Sequence, residues 1–227
     1  IRMAIRPKVY YMPRSALVTI ENTHNRAGGT IFPIEKIREI RELTRAEGMG
    51  FHLDGARLWN ACIVTGLSPK EYASEFDSVS VCLSKGLGAP VGSVIAGSEQ
   101  FIERARKYRK IFGGGMRQAG ILAAAGIYAL ENNRDRLKED HAKMQFMATE
   151  LSKIPSLSID MEAVQTNIVL IGIEKTGKQP GDILAQLKSK GVLLSSGNWL
   201  SLRAVTHLDV SMADVQQAVK VFQELFG

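Results

Sequence analysis

Residues 80–93 read Ser-Val-Cys-Leu-Ser-Lys-Gly-Leu-Gly-Ala-Pro-Val-Gly-Ser, and this stretch decides the fold. The apolar, β-branched run over residues 79–83 predicts a buried strand. Two glycines and a proline within residues 86–90 prevent a helix from following directly, and a second apolar strand is predicted over residues 91–96. Lys85 therefore lies at a strand end, in a turn that other groups can approach closely. Taken alone, such a lysine is either a solvated loop charge or a functional amine.

A second stretch, residues 49–57, predicts another short strand that ends in the carboxylate of Asp54. In an α/β sheet, Asp54 and Lys85 would then lie at the ends of neighbouring strands, and ligands bind outside the carboxyl ends of such strands. A pyridoxal phosphate site needs a lysine that forms an imine and a carboxylate that keeps the pyridine nitrogen protonated. The two stretches together favour a site of that kind.

Three motifs carry a resemblance to a known family. They read His-Leu-Asp-Gly-Ala-Arg at 52–57, Cys-Leu-Ser-Lys-Gly-Leu-Gly-Ala-Pro-Val-Gly at 82–92 and Gly-Gly-Gly-Met-Arg-Gln-Ala-Gly at 113–120. They resemble the low-specificity L-threonine aldolases, which are pyridoxal phosphate enzymes of fold type I. Residues 21–25 and 203–207 fit the same family, and the match runs along nearly the whole chain in the family's order.

The alternation of predicted strands and helices indicates an α/β protein. The resemblance implies a fold-type-I architecture, with an incomplete, mostly parallel large domain over residues 1–131 and a smaller α/β domain over residues 132–227. An alanine-rich helix over residues 119–131 is apolar nearly all round and is predicted to be buried. The pattern also predicts a helix over residues 98–112 with Ser98 as its N-cap, a strand over residues 192–195, and a helix over residues 212–226 whose apolar residues recur at the helical period. The resemblance also implies that the family's N-terminal part, which carries a phosphate-binding turn and a ring-stacking histidine, is missing from these residues.

Composition limits the function classes. The chain has 227 residues, 45% of them hydrophobic, which suffices for a sizeable core. Its net charge is +6, with a dense basic run at residues 104–110 that we interpret as a solvated helix face rather than a nucleic-acid site. No apolar run is long enough to span a membrane, and the start has no signal-peptide pattern. We expect an amino-acid substrate, no nucleic-acid or membrane partner, and a cytoplasmic location.

The two cysteines, Cys62 and Cys82, are too few for a disulfide framework and are expected to be free thiols in a reducing compartment. A zinc site needs clusters of ligands that the sequence does not contain. We therefore predict no metal.

The resemblance implies roles for particular residues. Lys85 would carry the cofactor as a resting aldimine, and Asp54 would hold the proton on the ring nitrogen. Ser84 would help to bind the cofactor phosphate. Arg117 would contact that phosphate or a neighbouring subunit.

Two arginines are candidates for holding the substrate carboxylate, because a guanidinium group matches a carboxylate in a bidentate manner. They are Arg57, which the resemblance also places beside the cofactor, and Arg203, whose alternative interpretation is a surface arginine on a strand. The proton acceptor for carbon–carbon cleavage is not identified, since Tyr11 stands where relatives often have a histidine. His24 receives no catalytic role and is interpreted as a hydrogen-bonded loop histidine.

The resemblance implies that the protein cleaves L-threonine or L-allo-threonine to glycine and acetaldehyde. The same lysine and aspartate would also serve another pyridoxal phosphate-dependent amino-acid lyase or a racemase. A catalytically inert fragment of the aldolase is the remaining alternative. A homo-oligomer, a dimer or a tetramer, is expected because related active sites lie between subunits.

Overall fold

The computed structural model describes residues 1–227 and contains two β-sheets. The first sheet has four strands, ordered β1-β2-β3-β4: Leu17–Glu21, Gly50–Gly55, Ser78–Cys82 and Ser93–Gly97. The first three strands are parallel, and β4 is antiparallel to β3. The carboxyl ends of the three parallel strands therefore lie at the same edge of the sheet. The predicted site residues lie at or just beyond that edge.

Five helices accompany this sheet. They are α1 Ile34–Glu47, α2 Leu58–Thr65, α3 Pro69–Ala73, α4 Glu99–Ile111 and α5 Gly120–Asn132. Helix α1 ends at Gly48, which adopts the left-handed conformation that favours glycine. Helix α4 begins after Ser98, whose side chain accepts a hydrogen bond from the Phe101 amide, as the sequence predicted.

Side chains along β2 alternate between a buried and a partly open face of the sheet. Phe51 and Leu53 are fully buried against residues of α1, α2 and α3. His52 and Asp54 point the other way and are only partly buried. The face that carries Asp54 is therefore the one available for chemistry.

The second sheet is antiparallel, ordered β5-β7-β6, with strands β5 Ile168–Gly172, β6 Ser195–Asn198 and β7 Ser201–Val205. Three helices pack on it. They are α6 Leu137–Leu151, α7 Pro180–Ser189 and α8 Met212–Phe226. A cluster of 19 buried residues from these elements forms the larger core.

The two sheets are joined by hydrogen bonds between distant parts of the chain. The hydroxyl of Thr166 donates to the carbonyl of Gly29 at 2.7 Å, and the amide of Ile31 donates to Oε1 of Gln165 at 2.8 Å. These bonds hold the start of the second sheet against the loop after β1. The boundary between residues 131 and 132 stays a prediction.

Two expectations about secondary structure and burial were wrong. Helix α5 is not buried: only Gly126 and Ala129 are, while Ile121 is 83% exposed. Its small residues contact the turn after β3, and no other element of the chain covers its outer side. A strand expected at 192–195 lies instead at Ser195–Asn198, since a two-residue turn to β7 fixes its register.

None of the helices combines the length and the apolar character that a membrane crossing requires. No group of three His, Cys, Asp or Glu side chains is arranged to hold a metal ion. Cys62 and Cys82 are free thiols, and burial raises the pKa of Cys62 to about 11.

Candidate active site

The turn that follows β3 presents the lysine. The Gly88 amide donates to the Lys85 carbonyl at 2.9 Å, and the Ala89 amide donates to the Leu83 carbonyl at 3.0 Å. Gly88 has a φ of 73°, a left-handed conformation that a side chain would strain. The backbone is therefore fixed on both sides of Lys85, whereas its exposed amine makes no hydrogen bond or ion pair.

Lys85 lines a cleft of about 410 Å³ between the two sheets. Arg57 and Ser84 line the same cleft, so three of the predicted residues share one cavity. The opposite wall comes from Asn167 and from residues 205–209. An amine and a guanidinium group thus face one space that is large enough for a small ligand.

Asp54 lies at the end of β2, directly between Glu21 of β1 and Ser80 of β3. Its Oδ1 accepts a hydrogen bond from the Ala56 amide at 3.1 Å. Its other oxygen receives no hydrogen bond from the protein. One carboxylate oxygen is therefore fixed by the backbone, and the other is free to accept a hydrogen bond from a ligand.

Arg57 and Arg203 act on each other electrostatically. Burial lowers the pKa of Arg57, and the positive charge of Arg203 lowers it further, while Glu21 and Asp54 oppose the shift. Burial also lowers the pKa of Arg203. Two partly desolvated guanidinium groups that repel each other are stabilised by an anion between them.

Hydrogen bonds hold Arg203 between the second sheet and the loop that follows β1. Its Nη2 donates to Oδ1 of Asn25 at 2.8 Å, and its Nη1 lies 3.4 Å from the Ser195 hydroxyl. Its Nε is buried and has no partner. A buried donor without a partner is costly to the folded chain.

The remaining predicted residues are less constrained. Ser84 is exposed, with its hydroxyl 3.4 Å from the Cys82 thiol. Arg117 is exposed in the loop between α4 and α5, makes no hydrogen bond, and does not line the cleft. Tyr11 is 68% exposed. His24 is a loop residue whose Nδ1 accepts a hydrogen bond from the Ala27 amide at 3.1 Å, as we interpreted it.

Sequence reasoning missed the wall opposite Lys85. Asn167, His207 and Asp209 line the cleft, and His207 Nδ1 lies 3.4 Å from Oδ2 of Asp209. The family resemblance covers residues 203–207, and of these it predicts a ligand-binding role for Arg203 alone. The signal available was the pair of titratable residues at the end of that motif and two positions beyond it, His207 and Asp209.

The model of the beta-eliminating lyase family matches residues 1–174. Low-specificity L-threonine aldolase 1 of Arabidopsis thaliana is 40% identical over 215 residues, which is 94% of this chain and 60% of that protein. The chain thus spans about 60% of the length of that curated relative.

Solved structures share the fold. A putative L-allo-threonine aldolase from Listeria monocytogenes superposes with a TM-score of 0.77 at 22% identity, over 94% of this chain and 62% of that one. A PLP-dependent aminotransferase from Streptococcus suis superposes with a TM-score of 0.72 at 16% identity, over 95% and 59%. The fold is therefore the α/β fold of these enzymes, and by its family match this chain belongs to the beta-eliminating lyases.

Proposed function

We propose that this chain forms the catalytic part of a pyridoxal 5'-phosphate-dependent aldehyde-lyase. It would cleave L-threonine or L-allo-threonine to glycine and acetaldehyde. The observation that carries the proposal is the unpaired amine of Lys85 in one cleft with Arg57, beside the strand β2 that carries Asp54. The named threonine aldolase at 40% identity supports this reaction over other chemistry.

The residues at and beside the cleft fit the cofactor, although Asp54 does not itself line the cleft. Lys85 has an amine without any protein partner, which is required of a group that must bond covalently to an aldehyde. Asp54 has one oxygen held by the Ala56 amide and one free, which suits a carboxylate that accepts a ring N–H. When bound, pyridoxal phosphate supplies an electron sink for the charge left on the α-carbon.

Arg57 and Arg203 would bind the substrate carboxylate. Burial lowers the pKa of both arginines, and the charge of Arg203 lowers that of Arg57 further. An anion between them would therefore offset the unfavourable free energy of holding the two charges in a partly desolvated site. Because Asn25 fixes the Arg203 guanidinium, the carboxylate would be held in one orientation. That orientation decides which bond of the α-carbon breaks.

Cleavage also requires an acceptor for the proton of the β-hydroxyl. His207 and Asp209 are the side chains of the cleft wall that can accept it. Nδ1 of His207 accepts a hydrogen bond from the Asp209 amide at 3.3 Å, which orients the imidazole. Ser84 would help to bind the cofactor phosphate, and Arg117 would contact that phosphate or a neighbouring subunit.

We further propose a cytoplasmic homo-oligomer, a dimer or a tetramer. The exposed apolar side chains of α5, Ile121, Ile127 and Tyr128, support association, since such a surface is unfavourable in water. Sedimentation velocity measures the mass of the species. A strictly monomeric chain at micromolar concentration would contradict the oligomer.

A β-eliminating lyase is the second candidate, because the family model that matches residues 1–174 is named for that reaction. Product analysis separates the two. Glycine with acetaldehyde from L-threonine supports the aldolase, whereas a keto acid with ammonia supports elimination. A change of stereochemistry at the α-carbon without cleavage would indicate a racemase.

The decisive experiment is covalent labelling of the chain with pyridoxal phosphate followed by borohydride reduction. We expect a visible absorbance band before reduction and one stable adduct, which peptide mapping assigns to Lys85. Lys85→Ala should lose both, while Lys70→Ala, at an exposed lysine of α3, should keep both. If Lys85 is labelled no faster than Lys70, the chain is an inert fragment and the proposal is wrong.

A further inference from the structure

We propose that Arg136, Asp140 and Lys143 form a positioning unit, which fixes the distance between the turn that carries Lys85 and the opposite wall of the cleft. The importance of that distance rests on the proposed function of Lys85. The unit itself is a feature of helix α6 and touches neither the cofactor nor the substrate. These three residues are positioning residues.

The three side chains share one face of the helix, at positions i, i+4 and i+7. Oδ1 of Asp140 lies 2.9 Å from Nη2 of Arg136 and 2.7 Å from Nζ of Lys143. The Asp140 side chain is fully buried, and the Lys143 side chain is 8% exposed. One buried carboxylate therefore holds two cations in fixed places.

Each cation extends to a different wall of the cleft. Nη1 of Arg136 donates to the Gly86 carbonyl at 3.3 Å, one residue beyond Lys85. Nζ of Lys143 donates to the carbonyls of His207 and Val210, at 3.0 and 2.7 Å. The two walls thus meet through a single carboxylate.

Further contacts dock both walls on α6 and on the segment just before it. The Thr206 hydroxyl donates to the Asp140 carbonyl at 2.6 Å. Nδ2 of Asn133 donates to the Leu87 carbonyl at 2.7 Å. A Cβ on Gly86 would lie 2.7 Å from Cδ2 of Leu137, so any larger residue would require the turn or the buried Leu137 side chain to move.

Stability alone does not account for this arrangement. Three charges lose much of their hydration here, and one oxygen of Asp140 remains buried without a partner. Packed apolar side chains often stabilise a protein as well as a buried ion pair does. They cannot, however, donate hydrogen bonds to carbonyl groups of two separate loops, and it is this function that the charged residues provide.

Substitutions can separate the two sides of the unit. Arg136→Lys keeps a cation beside Asp140, but a single ammonium group cannot also span to Gly86 as the guanidinium fork does. Lys143→Met keeps an unbranched side chain of similar length but loses the donors to His207 and Val210. Asp140→Asn removes the charge that holds both cations.

The test is hydrogen exchange of the full chain at assigned amides, which reports local opening. The Gly88 and Ala89 amides report on the lysine turn, and the Val210 amide reports on the opposite wall. We expect Arg136→Lys to speed exchange at Gly88 and Ala89 by about tenfold and to leave Val210 unchanged, and Lys143→Met to do the reverse. Asp140→Asn should speed exchange on both sides.

A matched control is Glu150→Gln on the same helix, which removes the exposed ion pair with Lys153 and should change no reporter amide. A second measurement is the rate of Lys85 modification by pyridoxal phosphate with borohydride, which Arg136→Lys should change by more than Lys143→Met does.

Uniformly faster exchange in either single variant, including the β5 amides of the larger core, would overturn the proposal, because it would indicate a general loss of stability. These two variants decide the matter even if Asp140→Asn does not fold. Failure of Lys85 labelling in the unsubstituted chain would contradict the proposed function, whereas the exchange pattern tests the positioning unit by itself.

Discussion

Nη2 of Arg203 donates a hydrogen bond to Oδ1 of Asn25 at 2.8 Å, although 178 positions separate the two residues. Arg203 lies on β7, the central strand of the second sheet, and Asn25 follows the first strand of the other sheet. The bond fixes one side of the guanidinium group, while Nε is buried and has no hydrogen-bond partner in the protein.

Arg203→Lys should weaken substrate binding. Lysine keeps the charge but loses the planar fork, so it cannot both bond Asn25 and hold a carboxylate in a bidentate manner. We expect KM for L-threonine to rise by about tenfold or more, with a smaller change in kcat. Steady-state kinetics check this, with Arg26→Lys, at an exposed arginine of the loop near Asn25, as the control. An unchanged KM would rule out Arg203 as the carboxylate ligand.

Asp54→Asn should leave the shape of the site and remove its charge. Because the ring nitrogen would lose its anionic partner, we expect kcat to fall by roughly two orders of magnitude or more. Asp160→Asn is a matched control, since Oδ1 of Asp160 also accepts an amide two residues on, that of Glu162, at 3.1 Å. Single-turnover kinetics measure the effect. Equal rates for the two variants would contradict the role of Asp54.

His141 should make stability depend on pH. Burial lowers its pKa from the ordinary value of 6.5, and its Nε2 accepts a hydrogen bond from Nδ2 of Asn60 at 2.9 Å. Below pH 6.5 the His141 imidazole is protonated in the unfolded chain. In the folded chain it stays neutral until the pH falls to its lowered pKa. The stabilising contribution is therefore complete above that pH and is lost as the pH falls toward the lower pKa of the folded state.

Urea unfolding at a series of pH values measures this dependence. His141→Gln should have a shallower slope of unfolding free energy below pH 6.5 than the unsubstituted chain. Above that pH the two curves should run parallel. An identical slope below it would mean that His141 is not the group responsible.

Gly88→Ala and Gly66→Ala form a matched pair, since both glycines have a φ of 73°. Each substitution should lower the free energy of unfolding by about 1 kcal/mol, the cost of a left-handed alanine. Nothing lies near a Cβ on Gly66, whereas a Cβ on Gly88 would lie 3.0 Å from Cδ2 of Leu208. Leu208 is partly exposed and can move, so stability should change similarly in both.

Only Gly88→Ala should alter the cleft, because Leu208 belongs to its wall. We expect a slower rate of Lys85 labelling in that variant and an unchanged rate in Gly66→Ala. Thermal unfolding and the labelling rate are measured on the same samples. A slower rate in Gly66→Ala would mean that backbone strain, not the Leu208 contact, is responsible.

Local pattern was sufficient for most elements of the chain. Helix α8 was predicted over residues 212–226 and has those limits, since its apolar spacing repeats at the helical period and Ser211 caps its start. The strands before Asp54 and Lys85 were also predicted, because short apolar runs bounded by glycine specify strand ends. Burial of α5 was predicted wrongly, because composition indicates that a surface is apolar and not whether another element covers it.

The sequence by itself determined the residue types at the two strand ends, Asp54 and Lys85, and the family motifs around them. Only the tertiary structure decided that residues 205–209 form the facing wall and that Asp140 connects both walls. The physical reason is the distance along the sequence over which each feature is determined. Strand ends and turns follow from neighbouring residues, whereas a cleft and a buried ion triad depend on how two sheets pack, and no local periodicity encodes that packing.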